Sequence, residues 1–246
     1  MNRQRFLMLT SGLAIVLAMA SVAAAERRVA GSSPEINPAN FVDKVDNRYF
    51  PLRPGTTFFY EGKKDSVPTS DVVHVTHDTK KILGVKCIVV HHESYEGEGK
   101  DRVLVEDTLD FYAQDDDGNV WYFGEDTKEL DPDTGKVLST EGSWKAGVHG
   151  AEPGIIMEAH PRVGDRYQQE VAPGVAEDMA QVLSLDESIR VLGRRFEDVL
   201  LTKEWSPLEP RVVEHKYYAE GVGFIFGIMV QGGEEHTELV RIDNDD

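Results

Sequence analysis

From residue 56 onward the chain repeats one pattern. Short runs alternate apolar and polar residues and are cut by Gly, Pro, Asn or Asp. Alternation with period two places successive side chains on opposite faces of a pleated strand. Residues 71–77 put Val73 and Val75 on one face. Residues 102–113 put Val103, Val105, Leu109 and Phe111 on one face, with Glu106, Thr108 and Asp110 on the other. Comparable runs occupy residues 56–61, 85–93, 119–123, 165–171, 184–191, 197–205, 211–219, 224–230 and 237–242. Parallel strands need crossovers of a dozen or more residues, and most of these links are far shorter. The pattern therefore predicts a mainly β fold: an antiparallel meander curled into a half-barrel, a barrel or a sandwich. One short helix is expected within residues 175–183, opened by Pro173-Gly174, with Glu177 and Asp178 at its positive end. One long loop is expected over residues 139–161. It carries Trp144 and Ile155-Ile156-Met157 and would lid the curled sheet or, as the favoured reading, plug it.

The ends read differently. Arg3 and Arg5 precede an apolar stretch, residues 6–22, that closes on Ala23-Ala24-Ala25, the pattern of a cleaved leader spanning residues 1–25. Residues 26–46, with Pro34 and Pro38, read as a flexible arm. Residues 47–242 read as a single β domain, and 243–246 as an acidic tail. This order predicts a periplasmic or secreted protein that does not insert in a membrane once the leader is removed. The formal charge of −18 becomes −20 when Arg3 and Arg5 leave with the leader. Such a surface disfavours nucleic acid and suits cations or a basic protein partner. Cys87, the single cysteine, lies in the apolar run Val85-Lys86-Cys87-Ile88-Val89-Val90 and reads as a core thiol.

Asp115-Asp116-Asp117-Gly118 raises the question of calcium. A helix-flanked calcium loop with Gly118 at its sixth position would need ligands at Ala113 and Gly124, which have none to offer. A hairpin turn with Gly118 in the left-handed region explains the residues better. Asp115 and Asp117 remain candidate ligands for a surface cation such as calcium. His74 and His92 are candidates for a cross-strand metal pair on a hairpin turning near Gly84. Asp131-Pro132-Asp133-Thr134-Gly135 reads as a second turn.

Side chains that would line the hollow of a curled sheet form the candidate ligand site: Asp110, Trp121, Tyr122, Trp144, Glu177, Asp178, Glu204, Glu214 and His215. Carboxylates converging there would repel one another and take up protons or a cation. The Gly-x-Ser-x-Gly, His-Glu-x-x-His and phosphate-loop signatures are absent from the sequence. The favoured reading is a non-enzymatic exported protein that binds a small ligand or a divalent cation. Two alternatives stand beside it. One is a metal-assisted hydrolase using Glu177, Asp178, Glu204 and His215. The other is an envelope interaction protein that docks through Trp121-Tyr122-Phe123.

Five blocks carry a resemblance: residues 50–57 (FPLRPGTT), 118–127 (GNVWYFGEDT), 153–157 (PGIIM), 176–180 (AEDMA) and 214–218 (EHKYY). They resemble a group of exported bacterial β-rich proteins with no assigned activity, over roughly residues 47–225. The resemblance implies an exported β domain and transfers no catalytic residue.

Overall fold

The computed structural model describes residues 36–245. The expected leader, the first ten residues of the arm and Asp246 lie outside the described residues. Eighteen strands account for most of the rest. The N-terminal half supplies β1 (Phe41–Val42), β2 (Val45–Asp46), β3 (Pro51–Leu52), β4 (Thr56–Lys64), β5 (Val67–Ile82), β6 (Val85–Glu96), β7 (Val103–Asp115) and β8 (Val120–Leu130). Short strands follow: β9 (Val137–Ser139), β10 (Trp144–Lys145), β11 (Glu152–Met157), β12 (Arg166–Gln168) and β13 (Glu170–Val171). The second meander is β14 (Met179–Val191), β15 (Arg194–Trp205), β16 (Val213–Ala219), β17 (Gly223–Gln231) and β18 (Glu235–Asn244).

The main sheet runs β12-β14-β15-β16-β17-β18-β4-β5-β6-β7-β8-β11-β13. All of its ladders are antiparallel, as the short links require. β18 pairs with β4 along its length, from Glu235 opposite Lys64 to Asn244 opposite Thr56, and so joins the two meanders. The two outermost strands, β12 and β13, are separated in sequence only by Gln169. One ribbon thus pairs with β14 at its start and with β11 at its end, and the sheet nearly closes into a barrel. At this seam a Cβ on Gly154 would fall 2.1 Å from the Gln169 carbonyl oxygen, so only glycine lets β11 and the ribbon meet.

Residues 45–52 plug one end. Val45, Tyr49 and Leu52 are buried in the main core with Ile88, Val90, Leu200 and Leu239. Phe50 meets Tyr112 edge-on at 5.4 Å. Asn47 pins the plug: its Nδ2 donates to the Gly118 and Glu158 carbonyls, and its Oδ1 accepts from the Tyr49 and Phe50 amides. Asp46 and Gln114 bind each other reciprocally, amide to Oε1 and Nε2 to Oδ1. On the other face of β6–β8 a second cluster buries Cys87, Val89, Phe111, Ala113 and Phe123, with Phe41 packed on it. Both faces of β6 are therefore covered, which is why Cys87-Ile88-Val89-Val90 is continuously apolar rather than alternating. Burial pushes the Cys87 thiol up to about 12, so it stays a neutral core group.

Four expectations change. Residues 36–46 are not a free arm: β1 pairs with β7, and Val45 is core. The described residues contain no α-helix. Pro173-Gly174 turns the chain back so that Ala172 and Ala176 bridge, Glu177 Oε1 accepts the Gly174 amide, and β14 follows directly from Met179. The stretch 139–161 is not a lid or a plug. It holds β10 and β11, which pair with β8, and the plug comes from residues 45–52 instead. Asp243 and Asn244 extend β18 against Thr57 and Thr56 rather than forming a tail.

Candidate functional site

Strand register decides which side chains share the hollow. One row of directly opposed residues reads Tyr60, Asp71, Ser94, Glu106. The next reads Phe58, Val73, His92, Thr108, Thr127, and the next Val75, Val90, Asp110, Glu125. From the second meander come the rows Ala180, Glu204, Glu214 and Val182, Thr202, Lys216, Gly227, Thr237. Members of both meanders line one cavity of about 390 Å³, including Asp71, His92, Ser94, Glu214, Lys216 and Thr237. Phe58, Tyr60, Val73 and Phe224 give it an apolar wall, and Phe50 and Leu52 of the plug help line it.

Lys216 is the hub of one wall. Its Nζ lies 2.9 Å from Glu204 Oε2 and 3.4 Å from Glu214 Oε2. Burial pulls the ammonium down, but the Glu204 and Glu214 carboxylates outweigh it and hold its pKa above the ordinary value. Glu204 Oε1 also accepts from Thr202 Oγ1 at 2.7 Å and Tyr218 OH at 2.9 Å. Nearby, burial raises Asp178, against a Ser206 hydrogen bond and the Lys216 charge.

On β7–β8 and β13, Asp110, Glu125 and Glu170 make no ion pair with a lysine or arginine among the described residues, though the His92 charge opposes the rise at Asp110. Asp110 Oδ1 accepts from Tyr122 OH at 2.5 Å, and burial raises its pKa. Glu125, opposite Asp110, is pushed up to about 9 by burial and then by Glu170 and Asp110. Glu170 is pushed up to about 8 by burial and then by Asp178, with the Trp144 indole opposing. Tyr112 stacks on Tyr122 at 4.6 Å, and Trp144 meets Tyr122 edge-on at 5.4 Å.

Asp71, His92 and Ser94 resemble a nucleophile set in composition but not in geometry. Ser94 Oγ donates to Asp71 Oδ1 at 2.7 Å, and His92 Nε2 contacts that same oxygen at 3.1 Å. Ser94 is 3.4 Å from the same His92 nitrogen. A proton relay needs the acid on one ring nitrogen and the nucleophile on the other. Desolvation pulls His92 down, but the Asp71 hydrogen bond and charge more than offset it, so the ring is biased toward the cation and away from acting as a base.

The sequence candidates therefore divide. Glu214 lines the cavity, and Glu204 and Asp178 lie close to its Lys216. Asp110 and Tyr122 bond each other, with Trp144 edge-on to the Tyr122 ring, away from the cavity lining. Trp121 is also outside the lining: its Nε1 donates to Asp115 Oδ2 at 2.7 Å, and Phe41 covers it edge-on at 6.3 Å, as it covers Phe123 at 5.6 Å. That cover leaves Trp121 half-buried and weakens the envelope-docking reading. Glu177 belongs to the turn at Gly174. His215 lies on the face opposite Glu214 and Lys216, paired with Lys203, where burial and then Lys203 lower its pKa. Glu177, Glu204 and His215 thus share no point, and the hydrolase centre is not assembled.

Asp115 accepts from the Asn119 amide, Asn119 Nδ2 and Trp121 Nε1, so the β7–β8 turn saturates it. Gly118 supplies the left-handed residue of that turn at φ +96°. Asp117 is exposed at its tip. Asp131 caps its own turn, accepting from the Thr134 amide and hydroxyl. His74 faces His91 across β5–β6 and bonds Thr57, whereas His92 sits opposite Val73 on the other face, so His74 and His92 cannot chelate together. Among the described residues no group of three or more His, Cys, Asp or Glu is arranged to hold a metal ion. Sequence reasoning passed over Asp71, Ser94, Glu125, Glu170 and Lys216. Parity offered one clue, since Lys216 alternates with Glu214 and Tyr218.

No protein-family model matches the chain, and no curated protein matches it. Solved structures do. One, a candidate exported protein from Bacteroides fragilis with a YmcC-like fold, is 14% identical; the match covers 80% of this chain and 100% of that one, with a TM-score of 0.46. Another, a candidate lipoprotein from Parabacteroides distasonis, is 10% identical over 80% of this chain and 99% of that one, with a TM-score of 0.42.

Proposed function

We propose that the protein is an exported, non-enzymatic binding protein that holds a small amphipathic molecule in the barrel hollow. The cavity between the Phe58–Tyr60–Phe224 wall and the Asp71–His92–Lys216 polar groups carries this reading. Its volume, about 390 Å³, suits a small ligand, and a mostly apolar lining with a few placed polar groups is the usual composition of such sites. Export rests on the leader pattern of residues 1–25, and the first residue of the processed chain should be Glu26 on N-terminal sequencing. The uncharged fluorophore N-phenyl-1-naphthylamine tests the cavity. Saturable, blue-shifted emission is expected, and Thr237→Trp, which fills the hollow from its wall, should weaken binding at least ~10-fold, about 1.4 kcal/mol. Equal binding by the variant, or none by the wild type, refutes the reading.

A further inference from the structure

The polar groups of the cavity are unbalanced in sign. Asp71, Glu214 and Glu235 line it, and no arginine does. The one lysine there, Lys216, is already held between Glu204 and Glu214. His92 is held by Asp71. Among the described residues Glu235 makes an ion pair only with Lys64, at 3.8 Å, and that lysine lies largely in water. Burial raises the Glu235 carboxyl, Lys64 opposes, and the Glu214 and Asp71 charges raise it further, so the three carboxylates act on one space. An anionic head group entering here would find, among the described residues, no free lysine or arginine, only His236 at the rim without an acidic partner, and several negative neighbours. A positive one would relieve their mutual repulsion.

The apolar wall fits the same sign. Tyr60 and Phe224 lie 5.4 Å apart, and Tyr60 OH donates to the Phe224 carbonyl, fixing the pair. Phe58 joins them in the lining. Ring faces attract organic cations, most strongly where water is excluded. Gly227 leaves room at the wall, since a Cβ there would stand 3.0 Å from the Phe224 ring.

We infer that the ligand is an organic cation, an ammonium or guanidinium on an apolar body, with its head among Asp71, Glu214 and Glu235 and its body along Phe58, Tyr60 and Phe224. This rests on the cavity being the binding site. Displacement of bound N-phenyl-1-naphthylamine by octylammonium, octyltrimethylammonium, octanol and octanoate at neutral pH tests it. The two cations should displace the probe at concentrations about 10-fold lower than octanol, and octanoate should be the weakest. Glu235→Gln should narrow the cation-to-alcohol ratio about threefold. Octanoate or octanol matching the cations overturns the inference and leaves a neutral-ligand site. Failure of all four against bound probe overturns the inference, whereas failure of the probe itself to bind overturns the binding function.

Discussion

Two walls of the barrel sheet bury carboxyl groups by opposite means. On β15–β16, Glu204 and Glu214 share the Lys216 ammonium, and Glu204 takes two hydroxyl donors besides. On β7–β8 and β13, Glu125 and Glu170 have tyrosine and tryptophan neighbours and lean on protons instead, near 9 and near 8, while burial raises Asp110 against the His92 charge. An ion pair fixes charge in place at all ordinary pH values, whereas a protonated carboxyl is neutral only until the solution removes the proton. The first wall should therefore be sensitive to which residues are present, and the second to pH.

The largest effect is expected from Lys216→Met, which strands two carboxylates. Glu204 is buried while Lys216 and Glu214 are each about a third exposed, so breaking the pair from one side should cost about 2 kcal/mol, read from urea unfolding, and adding Glu204→Gln and Glu214→Gln should restore most of the loss. A small loss in the single variant would break the contrast.

Next is Glu125→Gln. The folded chain keeps the Glu125 proton up to about pH 9, whereas the ordinary glutamate value is 4.5. The stabilising contribution is whole below pH 4.5 and is lost as pH climbs to 9. The glutamine variant should melt about 3 °C or more above wild type at pH 8.5 and match it at pH 4.5. A difference independent of pH would show that the second wall does not hold protons.

The smallest is Tyr122→Phe, which deletes the hydroxyl donated to Asp110. It should cost about 1 kcal/mol at pH 7, below Lys216→Met. Equal costs would mean that the second wall depends on fixed polar contacts as much as the first.

Sequence periodicity located the long strands, because each buries one face and wets the other. It could not say which face is concave. Glu214 and His215 looked equally eligible until register put Glu214 with Lys216 inside and His215 outside. The seam was illegible for another reason. β12 and β13 have three and two residues, too few to show a period. β11 carries Pro153 and Gly154, which read as loop in isolation but serve a strand end and a close backbone approach. Residues 175–183 misled because helix-favouring acids after Pro-Gly are equally good turn formers, and β14 then begins within the same stretch. Lys216 escaped notice because a lone lysine on a strand is normally a solvated side chain.

The ribbon of residues 166–171 gives the molecule a weak meridian. It holds the sheet's two margins by ladders of three and two residues, whereas β5 and β6 are tied along eleven paired positions. Any change in the girth of the hollow, to admit or release a guest, needs the fewest broken backbone bonds there. The glycine at 154 then acts as a clasp, fastening only because nothing projects from it.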